Sequence, residues 1–455
     1  MAILANDTIA SVSTSLSGAA IGIIRISGPG ARGILSMIFR HFPNKLTPHK
    51  LYKGCILDPK NNAVVDEVMI SYMKAPKSFT GEDMVEIHAH GGAAVVNAIM
   101  KIVRELGARQ SERGEFSKRA FLNGKIDLIK AESIAAIIGA KTSESARTIA
   151  SQLDGKLTER ITEIAGSLSA MIAEIEAHID FPEEMGEINI KRTVRAILSQ
   201  TKKLDRLISS ADAGRILSEG IECVIIGAPN VGKSSLLNAL LKFDRAIVTE
   251  IPGTTTDTIE EYINLNGIAV KLIDTAGIRN GGGQIEAHGI RRTREVISKA
   301  ELIIAVVDGT KKLGSLDLAI INEAEKSSRY LVVAVNKCDK RLAADLRMLK
   351  RFKLIQISAL EGLGIEKLEK AIENMILSRS ILPKDSILIN ARQKNSAIYA
   401  RESMGRAIGS IEKALPLDLV AIDLRDAAIA LKQMTGEEFN EEIINSVFER
   451  FCVGK

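Results

Sequence analysis

Gly227-Ala228-Pro229-Asn230-Val231-Gly232-Lys233-Ser234 (GAPNVGKS) has the form G-x-x-x-x-G-K-[ST]. The six residues before it, Ile221 to Ile226 (IECVII), are mostly apolar and β-branched, as in a buried strand. The run after it, Ser235 to Leu241 (SLLNALL), has the spacing of a helix buried along one side. Strand, glycine loop and helix follow in the order that a phosphate-binding loop requires. Gly227 and Gly232 let the backbone curl until successive N–H groups face one anion, and the positive helix end adds to the attraction. In such a loop Lys233 reaches the β- and γ-phosphates and Ser234 holds Mg²⁺.

Three later segments turn a phosphate site into a guanine-nucleotide site. The strand Val270 to Ile273 runs into Asp274-Thr275-Ala276-Gly277. There the Asp can hold Mg²⁺ through water and the Gly N–H can meet the γ-phosphate. Leu302 to Val307 (LIIAVV) is a further buried strand that ends at Asp308-Gly309. Leu331 to Val335 leads to Asn336-Lys337-Cys338-Asp339. A carboxylate at Asp339 accepts from both guanine N1–H and N2–H₂, a donor pair that adenine lacks. Ile355 to Ile357 then leads to Ser358-Ala359-Leu360, placed to contact the base through its backbone. This ordered set specifies a GTPase. Between the loop and Asp274, Ala246 to Asp257 (AIVTEIPGTTTD) reads as a switch segment, with Thr255 as the second protein ligand to Mg²⁺ and Thr254 beside it.

The hydrolytic machinery is not of the Ras kind, because Ile278 stands where a water-orienting Gln follows the DxxG glycine. Arg279 is near, but the loop Asn280 to Gly283 (NGGG) would have to fold back to bring it in. Glu286 either orients or deprotonates the water or is a solvated carboxylate at a helix N-terminus, and the residues alone leave both readings open. Asn230 offers an amide oxygen suited to a hard cation. With backbone carbonyls from the switch it can hold a monovalent ion beside the phosphates.

The whole chain of 455 residues is long enough for two to four domains. Apolar residues at 46% and charged ones at 26% fit a soluble protein, and a net charge of +5 permits a nucleic-acid partner without arguing for one. No Trp and only 4% aromatics exclude an extensive base-stacking platform. Cys55, Cys223, Cys338 and Cys452 form no C-x-x-C pair, which points to a reduced, cytoplasmic chain without a zinc knuckle. The N-terminus is a poor signal peptide and no apolar run reaches membrane-span length, so no membrane association is expected. Cys452 is fourth from the end, but Val453-Gly454-Lys455 is a poor prenylation tail.

The expected fold is multidomain, combining α/β and α+β parts. Residues 1–118 mix the strands Ile21 to Ile26, Glu67 to Met73 and Met84 to Ala89 with a helix from Ala93 to Leu106 that is capped by Gly107. Residues 119–215 read as helical, in long Pro-free stretches such as Ala131 to Ile149 and Leu157 to Ile179, with a break at Asp180-Phe181-Pro182. Residues 216–378 alternate strand and helix, and residues 379–455 are helical again. The two helical flanks form either one bundle interrupted by the α/β unit or two separate domains. His88 and His90 fall on one strand face with no third metal ligand evident, so structural roles are favoured. Lys191, Arg192, Arg195, Lys202, Lys203 and Arg206 can meet nucleic-acid phosphates, although such a spread is more often a solvated helix face.

The chain resembles the MnmE (TrmE) family of tRNA-modification GTPases. The resemblance is carried by DTIASVS near Asp7, IGIIRISG at Ile21 to Gly28, FTGEDMVEIHAHGG at Phe79 to Gly92, GEFSKRAFLNGKIDLIKAE at Gly114 to Glu132, IDFPEE at Ile179 to Glu184, the nucleotide motifs and the FCVGK tail. Ser17-Gly18-Ala19-Ala20 departs from the family's Gly-Arg-Gly segment, and Thr256 replaces a frequent Arg. The resemblance implies an N-terminal domain that dimerises and binds a tetrahydrofolate derivative (5-formyl- or 5,10-methylene-tetrahydrofolate) through Arg25, Glu82, Lys125 and Lys455. It also implies a helical domain interrupted by the GTPase domain. A K⁺ site would comprise Asn230, Thr249, Ile251 and Thr254, and the Mg²⁺ site Ser234 and Thr255. Glu286 falls at the family's catalytic Glu, and Cys452 at a tail Cys near the folate pocket. GTP would lie against Asn230, Val231, Gly232, Lys233, Ser234 and Ser235. It would also meet the switch residues Thr249, Glu250, Ile251, Pro252, Gly253, Thr254 and Thr255, then Asp274, Thr275, Ala276 and Gly277. Asn336, Lys337, Asp339, Ser358, Ala359 and Leu360 would complete its site. The implied partners are a second copy of the chain, the FAD-containing protein MnmG in a heterotetramer, and tRNA modified at C5 of the wobble uridine. A ribosome-assembly GTPase acting as an RNA-binding switch is the alternative, but no KH-type segment supports it.

Overall fold

A computed structural model describes residues 7–15, 19–40, 42–43, 46–242, 246–247, 261–265, 267–273, 297, 300–327, 330–379, 389–451 and 454. The N-terminal sheet is built from β1 (Ile9–Val12), β2 (Ile21–Ser27), β3 (Leu51–Leu57), β4 (Val64–Met73), β5 (Met84–His90) and β6 (Arg109–Gln110), in the order β3-β4-β5-β2-β1-β6. Its strands alternate as a half-covered sheet must. Ile24, Ile26, Val68, Ile70, Val85 and Ile87 face a core that the helices Ala31–Ile38 and Ala93–Glu105 close. Glu86, His88 and His90 take the other face. The structure adds β1, β3 and β6 to the three strands expected from the sequence. The edge strand β3 shows little apolar alternation, and the Phe39 ring occupies the space beside its Gly54.

The helices Lys156–Asp180, Ile190–Glu219, Ala391–Glu412 and Leu417–Thr435 pack around one core. Along the first, Leu157, Ile161, Ile164, Leu168, Ile172 and Ile175 recur at helical spacing and are buried. They meet Leu204, Leu207, Leu424 and Leu431, together with Ala397, Ala400 and Ala407, whose small side chains let the helices approach closely. The two flanks therefore form one bundle, interrupted in sequence by the second sheet. Arg392 fastens them: its guanidinium pairs with both carboxylate oxygens of Glu132 at 2.6 and 2.8 Å and donates to the carbonyls of Gln433 and Met434. Asp180 ends its helix before Pro182, as expected.

One helical expectation is corrected. Ala131 to Ile149 is not continuous, because Leu128–Gly139 stops and Ser143–Ala150 restarts. Thr142 causes the break: its Oγ1 caps the new helix by accepting from Ser145 N–H at 3.0 Å and donates to the Gly267 carbonyl at 2.6 Å. Pro is absent from the segment, but a cap residue with a tertiary partner interrupts it equally well.

The second sheet contains β7 (Ile221–Ile226), β8 (Ala246–Ile247), β9 (Glu261–Leu265), β10 (Ile268–Ile273), β11 (Leu302–Asp308), β12 (Tyr330–Asn336) and β13 (Lys353–Gln356), in the order β13-β12-β11-β7-β10-β9-β8. The strands β13, β12, β11, β7 and β10 are parallel, and the antiparallel β9 and β8 extend one edge. The helix Ile190–Glu219 runs directly to β7, and its buried Ile216 joins the core of this sheet rather than that of the bundle. Both faces of β11 and β12 are buried, which explains their continuous apolar runs. No helix among the described residues is long and apolar enough to cross a membrane.

The Arg392 bridge has a measurable consequence. Arg392→Met leaves Glu132, only 12% exposed, without its cation and should cost about 2–3 kcal/mol of stability in denaturant unfolding. Unchanged stability would show that the bridge does not join the flanks.

Candidate nucleotide-binding site

The carboxyl ends of β7, β12 and β13 carry three of the motif segments, with Asp308 at the end of β11 beside them, and this is the edge of a parallel sheet at which ligands bind. After β7 the loop turns at Gly227 (φ 150°) and Gly232 (φ 100°) into the helix Lys233–Lys242. A Cβ on Gly227 would lie 2.3 Å from the Val306 carbonyl oxygen, and one on Gly232 would lie 2.2 Å from Asn336 Nδ2. Neither position admits a side chain. Leu236, Ala239 and Leu240 anchor the helix in the sheet core, so its N-terminal end is held against the loop. Lys233 Nζ donates across the loop to the carbonyls of Gly227 and Ala228 at 3.0 and 2.8 Å. The Ser234 and Ser235 side chains at the helix start are exposed.

Asn336 binds three motif segments together. Its Nδ2 donates to the Val231 carbonyl at 2.8 Å, and its Oδ1 accepts from the N–H groups of Lys337 and Ala359, both at 2.9 Å. It is 3% exposed, so these bonds form away from water, where an unpaired amide would be costly. Asp339 stands exposed three residues on, and a hydrogen bond from Ser358 holds its carboxyl below the usual carboxylate range. It is thus an ionised acceptor just beyond the carboxyl end of β12. Ala359 is buried, whereas Leu360 is 82% exposed.

Asp308 is a site residue to which sequence reasoning gave no role. Its Oδ2 accepts from Lys337 Nζ at 2.6 Å, and its Oδ1 accepts from Thr310 N–H and Oγ1 at 3.0 and 2.6 Å. Burial raises its carboxyl, but the bonds from Lys337 and Thr310 outweigh this and hold it at about 2. Its signal in the sequence was its place at the end of a buried parallel strand.

Thr249, Glu250, Ile251, Pro252, Gly253, Thr254, Thr255, Asp274, Thr275, Ala276, Gly277, Ile278, Glu286, Cys452 and Lys455 lie outside the described residues.

The N-terminal positions take their place around β2. Arg25 pairs with Glu86 across the β2–β5 ladder at 2.7 Å. Glu82 accepts from Ser27 Oγ at 2.8 Å and from Arg119 Nη1 at 3.2 Å. Lys125 donates to the Pro76 carbonyl and packs beside Gly81, next to Glu82. Arg119 also binds Asp7 and Glu115, and Arg109 binds the same two carboxylates. Burial raises both carboxyls, but the arginine hydrogen bonds outweigh it and keep them below the ordinary range. The tail returns to this sheet, where Ser13 Oγ donates to the Gly454 carbonyl at 3.1 Å. His90 pairs with Asp66 and His88 with Glu86, and no group of three or more potential metal-ligating His, Cys, Asp or Glu occurs among the described residues.

Comparison with known proteins matches residues 8–125 to the model for the GTP-binding protein TrmE N-terminus and residues 128–452 to that for the MnmE helical domain. The tRNA modification GTPase MnmE of Thermoanaerobacter pseudethanolicus is 43% identical over 99% of each chain. That of Acetivibrio thermocellus is 43% identical over the same share of both, and that of Alkaliphilus oremlandii 41% identical.

Two substitutions test the geometry. Gly232→Ala should abolish tight GTP binding in a fluorescent-nucleotide titration while the far-UV circular dichroism is kept, and undiminished affinity would contradict the close approach of Asn336. Asp339→Asn should weaken GDP by about a hundredfold and favour xanthosine diphosphate, whose C2 carbonyl matches an amide donor. An unaltered base preference would remove Asp339 from the base site.

Proposed function

Since this chain belongs to the MnmE family of tRNA modification GTPases, we propose that it is a K⁺-dependent GTPase acting with the FAD-containing partner MnmG on C5 of the wobble uridine, U34, of certain tRNAs. The group added is of the carboxymethylaminomethyl or aminomethyl type. The observation that carries the proposal is the convergence of the loop, Asn336 and the exposed, ionised Asp339 at one sheet edge. GTP fits that edge: the helix end and Lys233 suit phosphates, and the Asp339 carboxylate suits guanine.

The donors available also fit two cations. Ser234 presents an exposed hydroxyl at the helix start, and with Thr255 it would hold Mg²⁺. The Asn230 carbonyl is taken by Lys337 Nζ while its side chain is exposed, leaving the amide oxygen for K⁺ together with Thr249, Ile251 and Thr254. Bound there, the two cations supply positive charge beside the phosphates. Glu286 orients the attacking water, the part for which Ile278 is chemically unsuited.

The N-terminal part, residues 1–118, would be the dimerisation and folate unit. Arg25, Glu82, Lys125 and Lys455 supply the charges suited to a pterin and its glutamate tail. Glu82 has a fixed orientation for N–H donors through Ser27 and Arg119. Gly454 beside Ser13 supports a tail near this site, and Cys452 would serve as a catalytic thiol. Residues 119–215 and 379–455 would form the helical domain, 216–378 the GTPase domain, and the active species a cytoplasmic homodimer that joins MnmG in a heterotetramer.

GTP hydrolysis should be at least tenfold faster in K⁺ than in Na⁺ at equal ionic strength. Equal rates would remove the cation role of Asn230. The wobble-uridine profile of tRNA from cells lacking the protein should lose the C5 modification, and an intact profile would overturn the tRNA assignment.

A further inference from the structure

Lys337 joins two parts of the site that the sequence motifs keep separate. Its Nζ donates to Asp308 Oδ2 at 2.6 Å and to the Asn230 carbonyl at 3.1 Å. Asn230 and Lys337 both have positive φ, 63° and 67°, a conformation uncommon for residues other than glycine. Two strained residues from segments 107 positions apart are thus tied by one hydrogen bond. Such strain persists only where surrounding contacts over-determine it. On the Lys337 side those contacts are the Asn336 amide, which accepts from Lys337 N–H, and Asp308, 7% exposed and oriented through both bonds from Thr310.

We propose that Asp308 is a positioning residue which, through Lys337, sets the backbone of Asn230, so that base recognition and monovalent-cation coordination share one ion pair. This rests on the assignment of Asn230 to the K⁺ site. The chemistry follows from the donors. An ammonium that shares its hydrogens between a carboxylate and a carbonyl is held in one place by the carboxylate, the stronger acceptor. Without that anchor Lys337 rotates freely as a four-carbon stem, and the Asn230 carbonyl loses a fixed donor. The loop then samples other backbone conformations, and the exposed Asn230 amide no longer stays aligned for a cation. At the other end, Lys337 lies between Asn336 and Asp339, so its release also loosens the base-binding segment.

The test uses the full chain and Asp308→Asn, which keeps the shape and an acceptor for Thr310 but removes the charge. Two readouts are taken: dissociation of a fluorescent GDP in K⁺ and in Na⁺, and the K⁺ concentration for half-maximal GTP hydrolysis. The proposal expects dissociation about tenfold faster, half-saturation shifted to several-fold higher K⁺, and kcat at saturating GTP and K⁺ within about twofold of wild type. Thr310→Val, which loosens Asp308 without removing its charge, should move both readouts in the same direction by a smaller factor. It keeps the test open if Asp308→Asn fails to fold. Faster dissociation with unchanged K⁺ half-saturation would overturn the shared ion pair, as would a fall in kcat alone. Wild-type hydrolysis indifferent to K⁺ would instead refute the assignment of Asn230, and the linkage with it. The wild-type arm therefore separates the two failures.

Discussion

The nucleotide edge depends on one buried carboxamide. Asn336 ends β12, donates to Val231 in the phosphate loop and accepts from Lys337 and Ala359. Phosphate loop, base-specificity segment and the segment after β13 come from distant parts of the sequence, yet they share this side chain. Each of its bonds has a modest net value, but breaking any one would strand a polar group at 3% exposure. The loop therefore cannot move far without Asp339 and Ala359 following. Gly232 is required for the same reason, since only a residue without Cβ lets the loop reach Asn336.

Other segments distant in sequence are tied together by comparable means. The carboxylates of Asp7 and Glu115 share Arg109 and Arg119, and the tail lies against Ser13. Thr142 reaches from the helical region to the Gly267 carbonyl, in the turn between β9 and β10. That hairpin adjoins both the switch segment before Glu261 and the Asp274 segment after Ile273. The helical region thus touches the β9–β10 hairpin, where Lys141 also lies over the Tyr262 ring at 5.4 Å.

Much of this was legible in the sequence. The parallel strands announced themselves as apolar runs ending in motif residues, because burial on both faces leaves no room for polar alternation. Family resemblance supplied the interruption of the helical domain, and the shared core of Leu168 with Leu424 bears it out. Less legible were features set by tertiary partners. The break before Thr142 has no Pro signal, only Gly139 at the end of the first helix, and the Thr142 hydroxyl bonds a carbonyl 125 positions away. Strand β3 is an edge strand without clean alternation. Asp308 resembled any turn residue, and its importance comes from Lys337 on the neighbouring strand end, a contact that only the parallel register of β11 and β12 creates.

Guanine specificity at the carboxyl edge of the second sheet is tested most directly by competition between nucleotides. A fluorescent GDP bound to the full chain should be displaced by GDP at a concentration at least a hundredfold below that of ADP, because adenine lacks the donor pair for Asp339. Equal displacement by the two would contradict the account.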